Sequence, residues 1–346
     1  MKMRVGITYN LRKDFSSTGG EPIDALEEFD SEETIDAIGQ VLQNEGHEVV
    51  KLGGGRDLID RLRRSPVDMV FNIAEGLGGR NREAHIPALL EFLGIPHTGS
   101  DPLTLSLTLD KSIAKKVLVS EGIPTPRFKK IERLQDIEEL TLPYPLMVKL
   151  CHEGSSKGIR LDSRVKDLLS LKEKARWLLE TYRSPVLLEE FIQGPEFTVG
   201  VLEKEADKGN ENPFVLGVMQ IEIQGIPAGE AIYSLEIKRE WKEKVKYLCP
   251  PPIDVSLLRK IEEVALRSYR ALECRDVSRV DIRVGPDGEA YFLEINPLPG
   301  LSPTYGDLPI MARRMGWTYD QLVLAIFHNA VRRYGLSEES IVKGKR

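Results

Sequence analysis

A glycine- and serine-rich segment directly follows an apolar, strand-like run that contains a lysine. The segment, residues 152–158, reads HEGSSKG, and the preceding run at 144–150 contains Lys149. Glycines let backbone amides point inward, serines add hydroxyl donors and Lys149 adds a positive charge, so such a loop can enclose phosphate oxygens. A plain Gly/Ser hairpin is the alternative interpretation. The segment does not fit the G-x-x-x-x-G-K-[ST] phosphate loop, because no lysine occupies the required position and no suitable helix follows.

A second group of oxygen-bearing side chains lies on a predicted β-hairpin. Asp281 is followed at positions +13 and +15 by Glu294 and Asn296, and a Pro-Asp-Gly turn at 286–288 joins the two strands. Side chains alternate along a strand, so Glu294 and Asn296 share a face, and strand pairing brings Asp281 beside them. Such oxygen ligands suit Mg²⁺, which usually shares its coordination shell with nucleotide phosphates and water. Because these residues interrupt otherwise apolar strands, the pattern favours a metal site over an exposed polar face.

Three further features are ambiguous when each is taken alone. Glu189 and Glu190 predict either hydrogen bonds to a purine and a ribose or a charged strand end. Arg279, two residues before the first hairpin carboxylate, is either a structural ion-pair partner or a stabiliser of negative charge in a reaction. Its neighbours favour the second role. Lys111 and Lys115 share a helix face, for which a solvated surface is the commoner explanation.

These residues depend on the elements that alternate along the chain. Strands are predicted at 3–9, 47–52 and 67–73, with helical spacing over 34–42, and this β-α-β alternation favours a parallel sheet covered by helices. Residues 10–33 are rich in glycine and acids without an apolar period, which is typical of a functional or mobile loop. Further strands are predicted at 144–150, 186–191, 196–202, 214–223, 231–237, 278–284 and 290–295, and further helices at 110–120, 165–182, 256–272 and 319–334.

Composition sets the broad class of protein. The 346 residues suggest two or three domains, and 41% hydrophobic with 29% charged residues is ordinary for a globular chain. The net charge of −6 argues against a nucleic-acid partner. No apolar run approaches the roughly 18 residues of a membrane span, and no signal peptide is predicted. Three widely spaced cysteines exclude a disulfide framework and a zinc cluster, so we expect a cytoplasmic protein.

Taken in order, several segments resemble the ATP-grasp superfamily, most closely the D-alanine–D-alanine ligases. They are GIPHTGSDPLTLSLTLDKSIAKKVL, PLMVKLCHEGSSKGI, VLLEEFIQGPEFTVGVL, VDIRVGPDGEAYFLEINPLPGLS and LPIMARRMGWTYDQLV. The resemblance extends from residue 1 to about residue 335. It implies an α/β fold of three domains: an N-terminal parallel-sheet substrate domain at 1–108, a central domain at 109–185 and a C-terminal catalytic domain at 186–340. ATP would lie between the second and third domains.

The resemblance also implies roles for individual residues. Lys111 and Lys149 would contact ATP phosphates, and Lys238 would lie near the γ-phosphate. Arg279 would stabilise the tetrahedral centre of the reaction. The remaining implied positions are the loop over the phosphates (Glu153, Ser155, Ser156), the adenine pocket (Glu189, Glu190, Phe191, Ile192), the ribose contact (Glu196), the ligands of two Mg²⁺ or Mn²⁺ ions (Asp281, Glu294, Asn296), and the amine-binding Glu32, with Asp30 as its alternative. Ser156 and Glu32 are grouped with Arg279 and Lys238 as catalytic residues.

The departures from the family pattern fall in the parts that would bind substrates. The segment NIAEGLGGRNREAH at 72–85 replaces a family motif, and Arg239 replaces a tyrosine. The run PLPGLSPTYGDLP is one residue longer than expected, with Tyr305-Gly306 where the family has a serine that holds the acceptor's carboxylate. The family's N-terminal glycine-serine segment gives way to the acidic loop. The side chains of Arg80, Asn81, Arg82 and Glu83 are therefore predicted to read a different substrate group, such as a carboxylate.

We therefore expect an ATP-dependent carboxylate–amine ligase that forms a peptide or amide bond through an acyl phosphate. D-alanine–D-alanine ligation is one candidate, and another dipeptide or amide is the alternative. A phosphotransferase that needs no amine would use the same nucleotide site, and a non-catalytic nucleotide-binding module is a further alternative. The expected partners are small-molecule substrates, with no nucleic acid and no membrane, and a homodimer by analogy with the family.

Overall fold

Three β-sheets succeed one another along the chain in the computed structural model, which describes residues 2–15, 22–203 and 213–337. The strands are β1 (Arg4–Thr8), β2 (Glu48–Lys51), β3 (Met69–Asn72), β4 (Phe128–Ile131), β5 (Leu146–Leu150), β6 (Arg164–Val165), β7 (Val186–Glu190), β8 (Glu196–Leu202), β9 (Phe214–Ile223), β10 (Val245–Leu248), β11 (Val277–Val284) and β12 (Ala290–Asn296). Each sheet is built mainly from strands that are close in sequence, so the chain completes most of one layer before it begins the next.

The helices separate and cover these sheets. They are α1 (Glu32–Asn44), α2 (Leu58–Arg64), α3 (His85–Phe92), α4 (Pro102–Leu109), α5 (Lys111–Ser120), α6 (Leu168–Tyr182), α7 (Leu235–Arg239), α8 (Trp241–Lys244), α9 (Val255–Ala271), α10 (Asp307–Arg314) and α11 (Tyr319–Arg333). Within the three described ranges, none of these helices has the length and apolar character needed to cross a membrane.

The first sheet has the strand order β2-β1-β3, and both strand pairs are parallel. Its crossover helix α1 begins after Ser31, whose hydroxyl accepts a hydrogen bond from the backbone amide of Thr34 at 3.4 Å. Ile35, Ile38 and Leu42 recur at helical spacing and are buried against the sheet. The predicted parallel sheet covered by helices is therefore confirmed.

The second sheet is antiparallel, with the order β4-β7-β5-β6. Strand β7 lies between β4 and β5, and its Val186 and Leu188 are fully buried in the same core as Leu146 and Val148. The predicted domain boundary at 186 therefore falls inside this sheet. The chain passes to the next sheet only after β7, because β7 supplies the central strand to which β4 and β5 pair.

The third sheet is antiparallel, with the order β10-β9-β8-β11-β12, and α9 packs its apolar face on one side of it. The strand predicted at 231–237 is wrong, since Leu235–Arg239 is helical. The hydroxyl of Ser234 caps this short helix by accepting a hydrogen bond from the amide of Ile237 at 3.5 Å. The outer neighbour of β9 in this sheet is instead β10, which the sequence patterns did not identify as a strand.

The C-terminal helices return to the first sheet. Leu322 and Phe327 of α11 belong to the same buried cluster as Met3, Ile7 and Phe71 of the N-terminal region. The segment from 301 onward thus connects the third sheet to the first. These two sheets are joined by packed helices rather than by a linker.

Candidate active site

The hairpin of β11 and β12 brings its polar residues together. Asp281 lies opposite Glu294, and Arg279 lies opposite Asn296. Both Arg279 Nε and Nη2 donate to the Asp281 carboxylate, at 3.2 and 3.0 Å, and Asn296 Nδ2 lies 3.5 Å from Asp281 Oδ2. The three residues predicted to hold a metal are therefore neighbours, with Arg279 beside them.

The two carboxylates of the hairpin differ in their electrostatic surroundings. Burial alone would raise the pKa of Glu294, but Lys111, Lys149 and Arg279 outweigh it and lower that pKa to about 2. Lys111 Nζ lies 3.3 Å from Glu294 Oε2. Burial raises the pKa of Asp281, and the neighbouring charge of Glu294 adds to this in opposition to Arg279. A cation placed between the two carboxylates would relieve this cost.

The donor set fits a divalent cation that is shared with a nucleotide. Two facing carboxylates and one amide supply hard oxygen ligands, which is the chemistry that Mg²⁺ prefers. Among the residues that the structure describes, no group of three or more His, Cys, Asp or Glu side chains is arranged to hold a metal. A cation at this hairpin would therefore complete its coordination with phosphate oxygens and water, as Mg²⁺ does in nucleotide sites.

A cleft between the second and third sheets contains the whole predicted ATP-binding set. Residues on β5, β7 and the Gly/Ser loop line the wall on the side of the second sheet, and Glu196, Arg279, Asp281 and Glu294 line the wall formed by the third sheet. The predicted ATP-binding residues that line it are Lys111, Lys149, Glu153, Ser155, Ser156, Glu189, Glu190, Phe191, Ile192, Glu196 and Lys238. The structure thus brings together positions that span more than 120 residues of sequence.

Glu189 anchors the floor of this cleft between two buried lysines. Its carboxylate lies 2.6 Å from Lys149 Nζ and 3.0 Å from Lys115 Nζ. Although burial raises the pKa of Glu189, the two ammonium groups outweigh it and hold that pKa below its usual range. Burial, reinforced by Lys149, lowers the pKa of Lys115 to about 8. The two lysines therefore hold the Glu189 carboxylate in place, and Lys149 also lines the cleft.

The interpretation of Lys115 as part of a solvated helix face is wrong. Its side chain is fully buried and also donates to Thr125 Oγ1 at 2.6 Å. The signal was present in the sequence: Lys111, Ala114, Lys115 and Leu118 form the buried stripe of α5 at helical spacing. A lysine inside an apolar stripe predicts a buried ion pair rather than an exposed charge.

The end of the cleft that is predicted to hold adenine is built around Phe191. The guanidinium groups of Arg283 and Arg164 lie 4.4 and 4.7 Å from its ring centroid. Arg283 also lies 3.4 Å from the Glu196 carboxylate, whose pKa burial raises. The carboxylate of Glu190 pairs with Arg127 outside the cleft, at 2.5 Å, so its side chain is already engaged.

The Gly/Ser loop adopts a left-handed backbone and is held by the N-terminal region. Ser155 and Ser156 have φ values of 50° and 59°. The amide of Gly154 donates to Glu28 Oε1 at 2.6 Å, and the amide of Gly158 donates to Asp24 Oδ2 at 2.9 Å. The predicted acidic loop therefore places carboxylates directly on the loop that encloses the nucleotide cleft.

A buried ion-pair network reinforces this contact. Glu28 lies 2.6 Å from Arg82 Nη2 and 2.5 Å from Lys157 Nζ, and Lys157 lies 3.1 Å from Glu153. The prediction that residues 80–83 read a substrate carboxylate is not supported, because Arg82 is buried against Glu28 and Arg80 pairs with Asp110 at 2.9 Å. Both guanidinium groups are used to hold protein segments together.

A second cavity, of about 220 Å³, adjoins the nucleotide cleft. The two share Lys111, Lys238, Arg279 and Glu294 among their lining residues. Acidic side chains line part of the second cavity, and Asp30, Glu75 and Glu83 are among them. Burial raises the pKa of Asp30 and of Glu83 to about 7, and it raises that of Glu75 well above its ordinary value. This part of the cavity suits a cationic group.

Glu32 does not take part in either cavity. Its side chain is 63% exposed and pairs with Lys13. Ser31 caps α1, so Glu32 is the first helical residue and its side chain extends into solvent. Asp30, the alternative at this position, lines the second cavity and replaces Glu32 as the candidate amine-binding carboxylate.

The lengthened segment after β12 also lines the second cavity. Asp307 Oδ2 lies 3.6 Å from Arg279 Nη1, and Asp307 Oδ1 accepts a hydrogen bond from the Tyr247 hydroxyl at 3.2 Å. The Tyr233 and Tyr247 hydroxyls lie 2.8 Å apart. Sequence patterns did not single out Asp307 or the two tyrosines, because the segments that carry them are distant in sequence and meet only in the fold.

Comparison with known proteins agrees with this geometry. A family described as D-ala D-ala ligase C-terminus matches residues 117–328. A D-alanine–D-alanine ligase from Syntrophotalea carbinolica is 36% identical over 299 residues, which are 86% of this chain and 90% of that protein. An uncharacterised protein, y4sG, from Sinorhizobium fredii is 34% identical over 307 residues, which are 86% of this chain and 88% of that protein.

A solved structure shows the same fold. The crystal structure of a D-alanine–D-alanine ligase from Bacillus anthracis complexed with ATP has a TM-score of 0.70 and 23% sequence identity, and the likeness covers 95% of this chain and 98% of that chain. The extent of the sequence similarity and the shared three-sheet architecture lead to one conclusion. The chain belongs to the D-alanine–D-alanine ligase family and has its ATP-grasp fold.

Proposed function

We propose that the protein uses ATP to activate the carboxylate of one amino acid and then joins it to the amine of a second substrate. One observation carries the proposal: the nucleotide cleft and the second cavity meet at Lys111, Lys238, Arg279 and Glu294. A phosphoryl group at this junction faces the substrate cavity, so transfer to a substrate carboxylate needs no further movement of the nucleotide.

The first step forms an acyl phosphate. A carboxylate oxygen of the donor attacks the γ-phosphorus of ATP, the bond to the β-phosphate oxygen breaks, and ADP leaves. Lys111 and Lys149, on α5 and β5, and Lys238, on α7, supply positive charge on the walls of the cleft. These fixed charges offset the negative charge on the transferring group and on ADP.

The second step forms the amide bond. The free amine of the acceptor attacks the acyl carbon, the tetrahedral centre collapses, and inorganic phosphate leaves with the electron pair of the former acyl–oxygen bond. The nitrogen releases one proton, to the departing phosphate or to water, as the amide forms. Arg279 lies at the junction and is oriented by Asp281 and Asp307, at 3.0 and 3.6 Å. Its guanidinium group is placed to stabilise the oxyanion of that centre.

We propose that Asp281, Glu294 and Asn296 hold Mg²⁺, with two ions as in the family resemblance. When bound, the metal offsets the charge of the phosphate oxygens. The support is the facing pair of carboxylates, one kept ionised by three cations and the other raised in pKa by burial. Mn²⁺ has the same preference for oxygen ligands and is the alternative ion.

There are two candidates for the identity of the substrates. The relatives are named for D-alanine, and a D-alanine–D-alanine product is one candidate for this chain. However, the residues around the second cavity depart from the family pattern, with Arg239 on one side and the Tyr305–Asp307 segment on the other. Another amino-acid pair, giving a different dipeptide, is therefore the second candidate.

A single assay distinguishes these candidates. Phosphate release is measured with ATP and Mg²⁺ against a panel of D- and L-amino acids and simple amines, and the product is identified by its mass. A ligase requires both a carboxylate and an amine and yields a product lighter by one water than the two substrates together. Formation of ADP without dependence on an amine would identify a phosphotransferase instead. Turnover with D-alanine alone would identify a D-alanine–D-alanine ligase.

A further inference from the structure

A third cavity, of about 420 Å³, opens beside the second cavity near helices α7 and α8. Five aromatic side chains line it, and we call it the aromatic annex: Phe29, Tyr233, Trp241, Tyr247 and Tyr305. Phe29 and Tyr305 line the second cavity as well, so the two spaces are contiguous. The annex is thus an extension of the substrate space rather than a separate surface pocket.

Two hydroxyl groups of the annex wall already form hydrogen bonds within the protein. The hydroxyls of Tyr233 and Tyr247 lie 2.8 Å apart, and the Tyr247 hydroxyl donates to Asp307 at 3.2 Å. The Trp241 ring lies 6.0 Å from the Tyr247 ring, centroid to centroid. Because these hydroxyls bond to protein groups, the annex offers a ligand mainly ring carbons, which favour an apolar or aromatic occupant.

The boundary between the annex and the second cavity carries charges of both signs. Asp30 and Asp307 line both spaces, and so do Arg12 and Lys238. Within the described ranges Lys238 forms no ion pair, and its ammonium group lies 5.9 Å from the Tyr233 ring. An ammonium and a carboxylate attached to one carbon would both find partners of opposite charge at this boundary.

We propose that the aromatic annex binds the side chain of one amino-acid substrate, and that this side chain is aromatic or a comparably large apolar group. The inference rests on the proposed function, because it names the substrate class of the same site. The methyl group of alanine would leave most of the annex to water, whereas a phenyl or indole ring would contact the aromatic wall.

Catalysis tests this specificity directly. We expect phenylalanine or tryptophan, in one configuration, to exceed alanine in kcat/KM by at least about tenfold, the scale of discrimination in apolar pockets. Trp241→Ala should reduce that ratio through a higher KM for the aromatic substrate, with the KM for ATP unchanged. The conservative variant Trp241→Phe should retain most of the ratio. A preference for alanine, or a ratio that Trp241→Ala leaves unaltered, would overturn the proposal while the ligase function stands.

Binding tests the annex without turnover. Tryptophan fluorescence is recorded while phenylalanine is added to the full-length protein in the absence of ATP. We expect a saturable change that disappears in Trp241→Phe and persists in Trp177→Phe, since Trp177 lies on α6 away from the cavity. If no amino-acid pair is ligated but this response is present, the proposed function fails and the annex remains. Absence of any response that depends on Trp241 would overturn the annex.

Discussion

Asp281 and Glu294 face each other across one hairpin, yet their surroundings shift their pKa values in opposite directions. Three cations keep Glu294 ionised, whereas burial works against the charge of Asp281. Asp30, Glu75 and Glu83 carry the same burial cost in the second cavity. Buried carboxyl groups with raised pKa values lower the free energy of unfolding unless a ligand neutralises their charge. Their presence in these cavities therefore indicates a functional role.

Glu294→Gln should abolish turnover with every substrate pair. The substitution preserves shape but removes the charge that the facing carboxylates offer to a metal, and we expect kcat to fall by about a thousandfold. Phosphate release under saturating ATP and Mg²⁺ is the measurement. Glu289→Gln is the matched control, because Glu289 is exposed in the hairpin turn and its carboxylate pairs with Lys260 at the surface. Activity within tenfold of the parent would contradict the metal assignment.

Asp30→Asn should stabilise the protein more at pH 8 than at pH 5. The pKa of Asp30 is about 7 in the folded chain and about 3.9 when unfolded, so the folded state binds more protons between these values. Stability contributed by this group therefore falls as pH rises from about 4 to about 7.

Urea denaturation of the parent and Asp30→Asn proteins at both pH values provides the measurement. Asp36→Asn is the control, because Asp36 is exposed on α1 and pairs with Lys51 at the surface. An equal difference between parent and variant at pH 5 and pH 8 would show that the Asp30 carboxyl is not buried with a raised pKa. Loss of ligase activity in Asp30→Asn is expected alongside the gain in stability.

At the scale of the elements, the segment 22–30 contacts both the Gly/Ser loop and helix α7. Asp24 and Glu28 accept hydrogen bonds from amides of the Gly/Ser loop, and Glu27 pairs with Arg239 on α7. The segment therefore couples the loop over the nucleotide to the helix that carries Lys238.

Glu28→Gln should destabilise the protein by about 3 kcal/mol, because the buried Arg82 loses its nearer carboxylate, at 2.6 Å, and keeps only the more distant Glu153, at 3.6 Å, as a carboxylate partner among the described residues. Glu27→Gln provides the comparison, since its arginine partners are about half exposed, and we expect a loss of less than about 1 kcal/mol. Urea denaturation measures both values. Hydrogen exchange of the amides at 154–158 should quicken in Glu28→Gln only. Equal costs for the two variants would refute the buried network.

In the molecule as a whole, the core that covers the first sheet is completed only by the C-terminal helix α11. Helix α11 packs on α1 and shares one core with the first sheet, so the N-terminal and C-terminal regions stabilise each other. This contact joins residues more than 250 positions apart in the sequence. It links the first sheet to the part of the chain that follows the third sheet. Loosening this end should therefore affect the site as well as the stability.

Phe327→Ala should lower the free energy of unfolding by about 3–5 kcal/mol, as expected for a large cavity in a buried core. Phe327 is fully buried, and its ring centroid lies 5.0 Å from that of His47. Phe92→Ala is the control, because Phe92 is 87% exposed, and its effect should remain within about 0.5 kcal/mol. Urea denaturation provides both values. A similar cost for the two variants would exclude α11 from the core.

Local patterns in the sequence predicted a large part of this molecule. Apolar periods located most strands and helices, and the hairpin pattern placed Asp281 beside Glu294, because strand pairing over a short turn is a local property. The Gly/Ser loop and its lysine were likewise recognisable from adjacent residues. The family resemblance added the three domains and the cleft between the second and the third, since several motifs in sequence order specify a fold.

Contacts between distant segments were decided only by the tertiary structure. Whether Lys115 is buried depends on Glu189 of another strand, and whether Asp30 or Glu32 faces the cavity depends on where α1 is capped. The aromatic annex draws its wall from residue 29, residues 233–247 and residue 305. The sequence by itself determined the nucleotide chemistry, whereas the shape and polarity of the substrate space arise from long-range packing that no local period records.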